Sequence, residues 1–309
     1  MRPLDLTVVI CTVDRCPSLV ATLASLRTQS TTSSWEVLVV DNGSCDGTRA
    51  AIHATARDFP VPLRFAEEPH RGLSHARNRA LLEARGDAVL FLDDDVVCLP
   101  GLLAAHLEGL GRSGVIGTGG RIRPVLPAVV PEWFREHLPH EIGGPTARYD
   151  FGDDVLEVGA HTARPPPFGA NMTVRRDQAL EGGGFRTDLG WGERFVPGEE
   201  SELYSRLARN GGRLLYLPQA IVEHHIPSHK VSRQYFVRWY RGHGRSTVIM
   251  RPPRTLFERL ERIAGEARKS TVWQLRASLT RGRGPDGCYA FALRKAAKAQ
   301  GKLLQLLGW

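Results

Sequence analysis

The 309-residue chain has little that would put it in a membrane or outside the cell. No stretch approaches the roughly 18 apolar residues that span a bilayer. Met1–Ile10 has no basic segment leading into a long apolar run, and Asp5 interrupts the run it has. That reads against a secretory leader, so the expected location is the cytoplasm. Cysteine is scarce and scattered: Cys11, Cys16, Cys45, Cys98 and Cys288. No two have C-x-x-C spacing, so neither a zinc site nor a redox dithiol is indicated. Cys11 and Cys98 lie in apolar runs and read as small buried hydrophobes. Aromatics are only 7%, but 42% apolar and 24% charged residues suit a folded core and exclude wholesale disorder. There is no internal repeat.

Acidic residues are missing from one region in particular. From Lys230 to the end, 18 Lys and Arg face 4 Asp and Glu, a net +14; residues 1–229 hold 23 basic and 29 acidic residues, a net −6. The overall +8 therefore belongs to the tail. Such an asymmetry marks an appended element that meets phosphate, nucleic acid or anionic lipid.

What is present in the first half is alternation. TVVICT (Thr7–Thr12), WEVLVV (Trp35–Val40), Leu63–Ala66 and AVLFL (Ala88–Leu92) read as strands. Ser18–Leu26, Asp46–Phe59 and Ser74–Ala84 read as helices, with Asp46 as an N-cap and Gly86 closing the third. Alternation predicts an α/β fold with a mostly parallel sheet covered on both faces. Ligands then bind beyond the carboxyl ends of the strands. Further on, Gly114–Ile122, Phe168–Val174 and Arg213–Leu217 read as strands, Glu199–Arg209 as a helix, and 124–167 as long loops rich in Pro and Gly. Helical patterns dominate from His229.

Chemistry concentrates where strands stop. Asp93, Asp94 and Asp95 follow AVLFL directly. Three adjacent carboxylates repel one another unless solvent or a cation relieves them. A solvated acidic turn and a site for a hard divalent ion are both admissible; the buried apolar strand before the triplet favours the site. In VVDNGSCDGT (Val39–Thr48), Asp41 sits at the same edge, inside strong turn dipeptides. It can accept from a nucleobase or a ribose, or simply close the turn. Arg77, in GLSHARN (Gly72–Asn78), opens a helix near that edge, as a phosphate or base contact or as an ordinary surface arginine.

Together with FGANMTVRR (Phe168–Arg176), GGF (Gly183–Phe185) and GEESEL (Gly198–Leu203), these motifs over residues 6–230 resemble the family 2 nucleotide-sugar glycosyltransferases of GT-A fold. The resemblance implies a catalytic domain at 1–228, with a Rossmann-like nucleotide-sugar-binding half (1–122) and an acceptor half (123–228), followed by a basic helical extension at 229–309. It implies that Thr12, Asp41, Arg77, Asn78, Asp93 and Asp94 meet the donor, and that Asp95 binds Mn²⁺ or Mg²⁺ with His224 completing the shell. The two-histidine run His224–His225 reads equally as a surface pair. Asn171, Gly183, Trp191 and Glu199 would border the acceptor, although a tryptophan is more often core. The family has Glu-Asp where this chain has Glu199–Glu200, so Glu200 takes the catalytic-base position as a glutamate.

The function so implied is metal-dependent transfer of a sugar from a nucleotide-diphosphate donor to an acceptor hydroxyl, with inversion. The acceptor class, whether glycan, lipid-linked or small molecule, is open. Two rivals remain. A nucleotidyltransferase also needs a carboxylate-bound metal, but gives Glu200 no task. A nucleic-acid binder would use the basic tail, but no nucleic-acid module is present, and nucleic acid is not the expected partner. The helix pattern of Tyr289–Trp309, apolar beside Arg294, Lys295, Lys298 and Lys302, suits peripheral contact with the inner membrane face or packing within the protein.

Overall fold

A computed structural model describes residues 4–138, 141–159, 162–192, 195–209, 211–281 and 288–309. Strand and helix alternate through β1 (Leu4–Thr12), α1 (Cys16–Leu26), β2 (Trp35–Asp41), α2 (Thr48–Ala56), β3 (Leu63–Glu67), α3 (Leu73–Glu83), β4 (Gly86–Leu92), a short β5 (Val96–Cys98) and α4 (Leu102–Leu110). Then come β6 (Val115–Val125), α5 (Glu132–His137), β7 (Leu156–Glu157), β8 (Asn171–Arg175), α6 (Arg176–Glu181), α7 (Glu199–Ala208) and β9 (Arg213–His225). The chain ends in α8 (Arg233–Met250), α9 (Leu256–Thr280) and α10 (Cys288–Leu307).

The nine strands form one sheet ordered β3-β2-β1-β4-β8-β6-β9-β5, with β7 against β9. Every residue of β2 is buried, the mark of a strand covered on both faces. β1 to β4 pair in parallel, as the alternation predicts. The second half makes the sheet mixed: β8 is antiparallel to β4 and β6, and β5 to β9, while β6 and β9 are parallel. Following these directions across the sheet brings the carboxyl ends of β1, β2, β4 and β9 to one edge. That edge carries the site.

Three expectations change. Gly86 opens β4 instead of capping α3, because a Cβ there would lie 2.4 Å from the Thr7 nitrogen of β1. Asp46 precedes α2 without being its N-cap, which is Gly47; its Oδ1 instead accepts from the Thr48 amide at 3.0 Å. The strand expected at Arg213–Leu217 runs on to His225. Pairing jumps from Gly120–Leu217 to Arg121–Ile221, and this irregularity absorbs Pro218, which has no ladder N–H to give.

The chain divides into two compact units. One, Met1–Val125, Ala147–Glu193 and Glu199–His225, holds the sheet; the other is Leu126–Thr146, Arg194–Gly198 and Ile226–Trp309. The sequence reading assigned 126–146 to the acceptor half. The segment instead joins the helical unit, because Phe134 and Leu138 share a buried cluster with Phe236, Tyr240 and Leu293. In that unit α10 packs on α8 at close range: a Cβ on Gly244 would meet the Lys298 carbonyl at 2.2 Å, so only glycine fits.

Candidate active site

β4 ends at Leu92, Asp93 leaves the strand, and Asp94–Asp95 turn the chain into β5. β5 lies antiparallel on β9 with Val96 opposite His224. The His225 amide donates to the Asp95 carbonyl at 3.0 Å, and His224 Nε2 sits 3.2 Å from Asp95 Oδ1. His224 is 2% exposed, so of the two histidines only His225 lies at the surface. Asp93, Asp95 and His224 each offer a ligand atom, all within 4.8 Å of one another. Two carboxylates and an imidazole at that spacing fit a divalent cation. The resemblance gave Asp93 to the donor; the structure groups it with Asp95 and His224.

Asp94 is outside this group. Its Oδ2 accepts from Thr12 Oγ1 at 2.7 Å, so the Thr12 hydroxyl, expected on the donor, serves the aspartate. Both acids meet a residue the sequence reading missed. Arg15 places Nη1 2.8 Å from Asp94 Oδ1 and Nη2 2.6 Å from Asp95 Oδ2. Its only sequence signal is a cation following the first strand closely, at the edge where ligands bind. Burial pushes the Asp94 carboxyl up to about 6, against the opposing pull of Arg15 and Thr12.

Asp41 ends β2 and is 2% exposed. Its Oδ1 accepts from the Ser44 amide at 2.9 Å and from the Ser44 hydroxyl, so the turn closes on the aspartate. Asn42 then ties this turn to the start of α3, accepting from the Gly72 amide at 2.7 Å and donating to Glu68 and His70 carbonyls.

Arg77 is no surface arginine. It is 3% exposed, lies over the rings of Phe91 and Phe185, and holds Glu199 at 2.7 Å. Glu199 is equally buried, so this carboxylate, expected beside the acceptor, is the partner of Arg77. Burial works against the Arg77 charge, while the nearby Glu199, Glu200 and Asp93 favour it and hold its pKa above the usual arginine value. Glu200 differs from Glu199: its buried Oε2 has no hydrogen-bond partner among the described residues. Burial, with the charge of Glu199, pushes the Glu200 carboxyl up to about 8, while Arg77 pulls the other way.

Several remaining candidates prove to be braces. Asn78 spends its amide on the backbone of Phe185, donating at 2.8 Å and accepting at 2.7 Å. Asn171 is wholly buried: its Nδ2 donates to the Ala220 carbonyl at 2.9 Å and its Oδ1 accepts from His106 Nε2 at 2.8 Å. Nothing of it remains for an acceptor. Gly183, at φ +86°, lies in a turn clamped by Arg206, which donates to the Gly182 and Gly184 carbonyls and pairs with Glu202 at 2.7 Å. Trp191 is 40% exposed and not in the core, and its carbonyl accepts from the Leu73 amide at the start of α3.

The glycosyl transferase family 2 model matches residues 7–164, which include Arg15, Asp41, Arg77 and Asp93–Asp95. The chain belongs to that family. It is 27% identical over 238 residues to the succinoglycan biosynthesis protein ExoM of Rhizobium meliloti, covering 76% of this chain and 71% of that protein. It is 24% identical to the glucosyl-dolichyl phosphate glucuronosyltransferase of Haloferax volcanii, covering 81% and 79%. Its fold matches a mannosyltransferase of Pyrobaculum calidifontis, solved with GDP-Man and Mn²⁺, at a TM-score of 0.66, 19% identity and 100% coverage of this chain. The family 2 protein is a GT-A glycosyltransferase, so the nucleotidyltransferase reading falls.

Proposed function

We propose that this family 2 enzyme moves a sugar from a nucleoside-diphosphate donor to an acceptor hydroxyl by a single, inverting displacement with Glu200 as base. One observation carries the reading. On the first turn of α7, Glu200 alone keeps a buried oxygen without a partner, within the same electrostatic neighbourhood of Arg77 as Asp93. A base needs a free lone pair aimed at the acceptor proton and a pKa near working pH. Glu199 fails on the first count, being bound to Arg77.

Asp93, Asp95 and His224 are the residues to hold a divalent cation, which when bound supplies positive charge against the leaving diphosphate. An imidazole in the set favours Mn²⁺ over Mg²⁺, which prefers oxygen alone. Solved structures of the same fold with GDP-Man or UDP-GlcNAc support the donor class. Asp41, at the neighbouring strand end, is the residue to accept from the donor's base or ribose. Arg77 holds Glu199 and leaves Glu200 free to take the proton. Arg15 neutralises Asp94 and Asp95 before any cation arrives.

The test is Glu200→Gln in the full chain. Release of nucleoside diphosphate from nucleotide sugar should fall roughly 10²–10⁴-fold, while the thermal shift with nucleotide sugar and Mn²⁺ stays as in the wild type. Wild-type turnover in this variant removes Glu200 as base. A donor shift unchanged by chelator removes the cation.

A further inference from the structure

α10, the helix whose pattern suited a membrane surface, spends its apolar side inside: Ala290, Leu293, Ala296, Ala297 and Leu306 are buried. The unpartnered apolar surface lies on α9. Leu256, Phe257, Leu260, Val272, Leu275 and Leu279 are 44–71% exposed. They recur every three or four residues along the helix, with Ala264 and Arg268, both exposed, between them. Residues at that spacing share one face. From 257 to 279 the face runs about 33 Å. Arg259 Nε donates to the Leu306 carbonyl at 2.7 Å, bringing the end of α10, where Trp309 is 73% exposed, beside the start of α9.

Charge decides what covers this face. Arg254, Arg268, Lys269, Arg276 and Arg281 are exposed along the helix. Two of its three acids are already paired, Glu258 with Arg262 and Glu266 with Lys269. A second copy of the chain would bring the same positive face and be repelled. A nucleic-acid backbone would match the arginines but give exposed leucines and a phenylalanine nothing to bury against. An anionic lipid surface satisfies both, with headgroup phosphates for the arginines and an acyl boundary for the apolar row.

We propose that the α9 face, with the end of α10, seats the helical unit on an anionic lipid surface. The inference goes beyond the transferase reading, and its test does not use turnover. The full chain is floated with vesicles of phosphatidylcholine alone or with added phosphatidylglycerol. It should rise with the anionic vesicles, stay down with the neutral ones, and release as salt is raised. Leu260→Glu with Leu275→Glu should cut vesicle binding roughly tenfold or more. Both residues are more than half exposed, so the melting temperature should hold. A wild type that stays down with anionic vesicles overturns the proposal, as does a variant that floats like the wild type. So does a wild-type dimer in light scattering that the variant turns into a monomer.

Discussion

The site of the sheet unit and the α9 face of the helical unit handle charge in opposite ways. At the site of the sheet unit the ions are inside: Arg77 and Glu199 are each 3% exposed and bonded at 2.7 Å, and Asp94 and Asp95 are held by Arg15. In the helical unit, arginines stand in water beside exposed leucines. Buried charge fixes position, because a lone ion in the interior is expensive. Exposed charge leaves the fold nearly indifferent and instead builds a field over a surface. One unit uses its ions to hold side chains in place; the other sets a row of arginines in water.

The largest effect that would break this contrast is on Arg77. Arg77→Met takes the 2.7 Å cationic partner from buried Glu199, and should destabilise the protein by about 3–5 kcal/mol in urea unfolding. Arg268→Met, on exposed α9, should stay within about 0.5 kcal/mol. Equal costs would mean that burial does not separate the two sets of arginines.

Arg15 is the intermediate case, its side chain 37% exposed while its partners are buried. Arg15→Gln takes away a positive charge that competes with a cation at Asp94 and Asp95, so Mn²⁺ affinity without donor should rise roughly tenfold. Titration of the free-Mn²⁺ electron-resonance signal measures this. An unchanged affinity would show that the guanidinium and the cation do not compete.

A further effect concerns pH. Folded Glu200 keeps its proton up to about 8, whereas an unfolded glutamate releases it near 4.5. Between those values the folded state binds more protons, so stability falls as pH rises through the window. Melting scans from pH 5 to 9 should show that decline in the wild type and a flatter curve in Glu200→Gln. Turnover should climb toward pH 8 as the base becomes available. Parallel melting curves would place the raised carboxyl elsewhere.

The nucleotide-side strands were legible because a strand buried on both faces must be apolar along most of its length, and the exception in β2, Glu36, is paired with Arg64 and Thr7. In VVICT, WEVLVV and AVLFL that run stops abruptly, and at WEVLVV and AVLFL it gives way directly to aspartate. The braces were not legible. Asn78, Asn171 and Glu199 carry the same polar groups a ligand contact would, and only their partners show that they are already spent. For Trp191 aromatic area alone argues for burial, and the fold instead leaves it 40% exposed, which removes the core reading.

By itself the sequence determined the parallel half of the sheet, the acidic strand ends and the basic tail, all of them local patterns of polarity that any fold must respect. The tertiary structure decided what those groups meet. Pairing of β9 beside β6 carries His224 to the edge where Asp93 and Asp95 lie, and α7 sets Glu199 on Arg77 while Glu200 Oε2 keeps no hydrogen-bond partner among the described residues. Packing of α10 inside its unit left α9 as the outward apolar face. Such contacts join residues far apart in the chain, and which of two neighbouring carboxylates is buried against a cation depends on direction in space, which residue order does not encode.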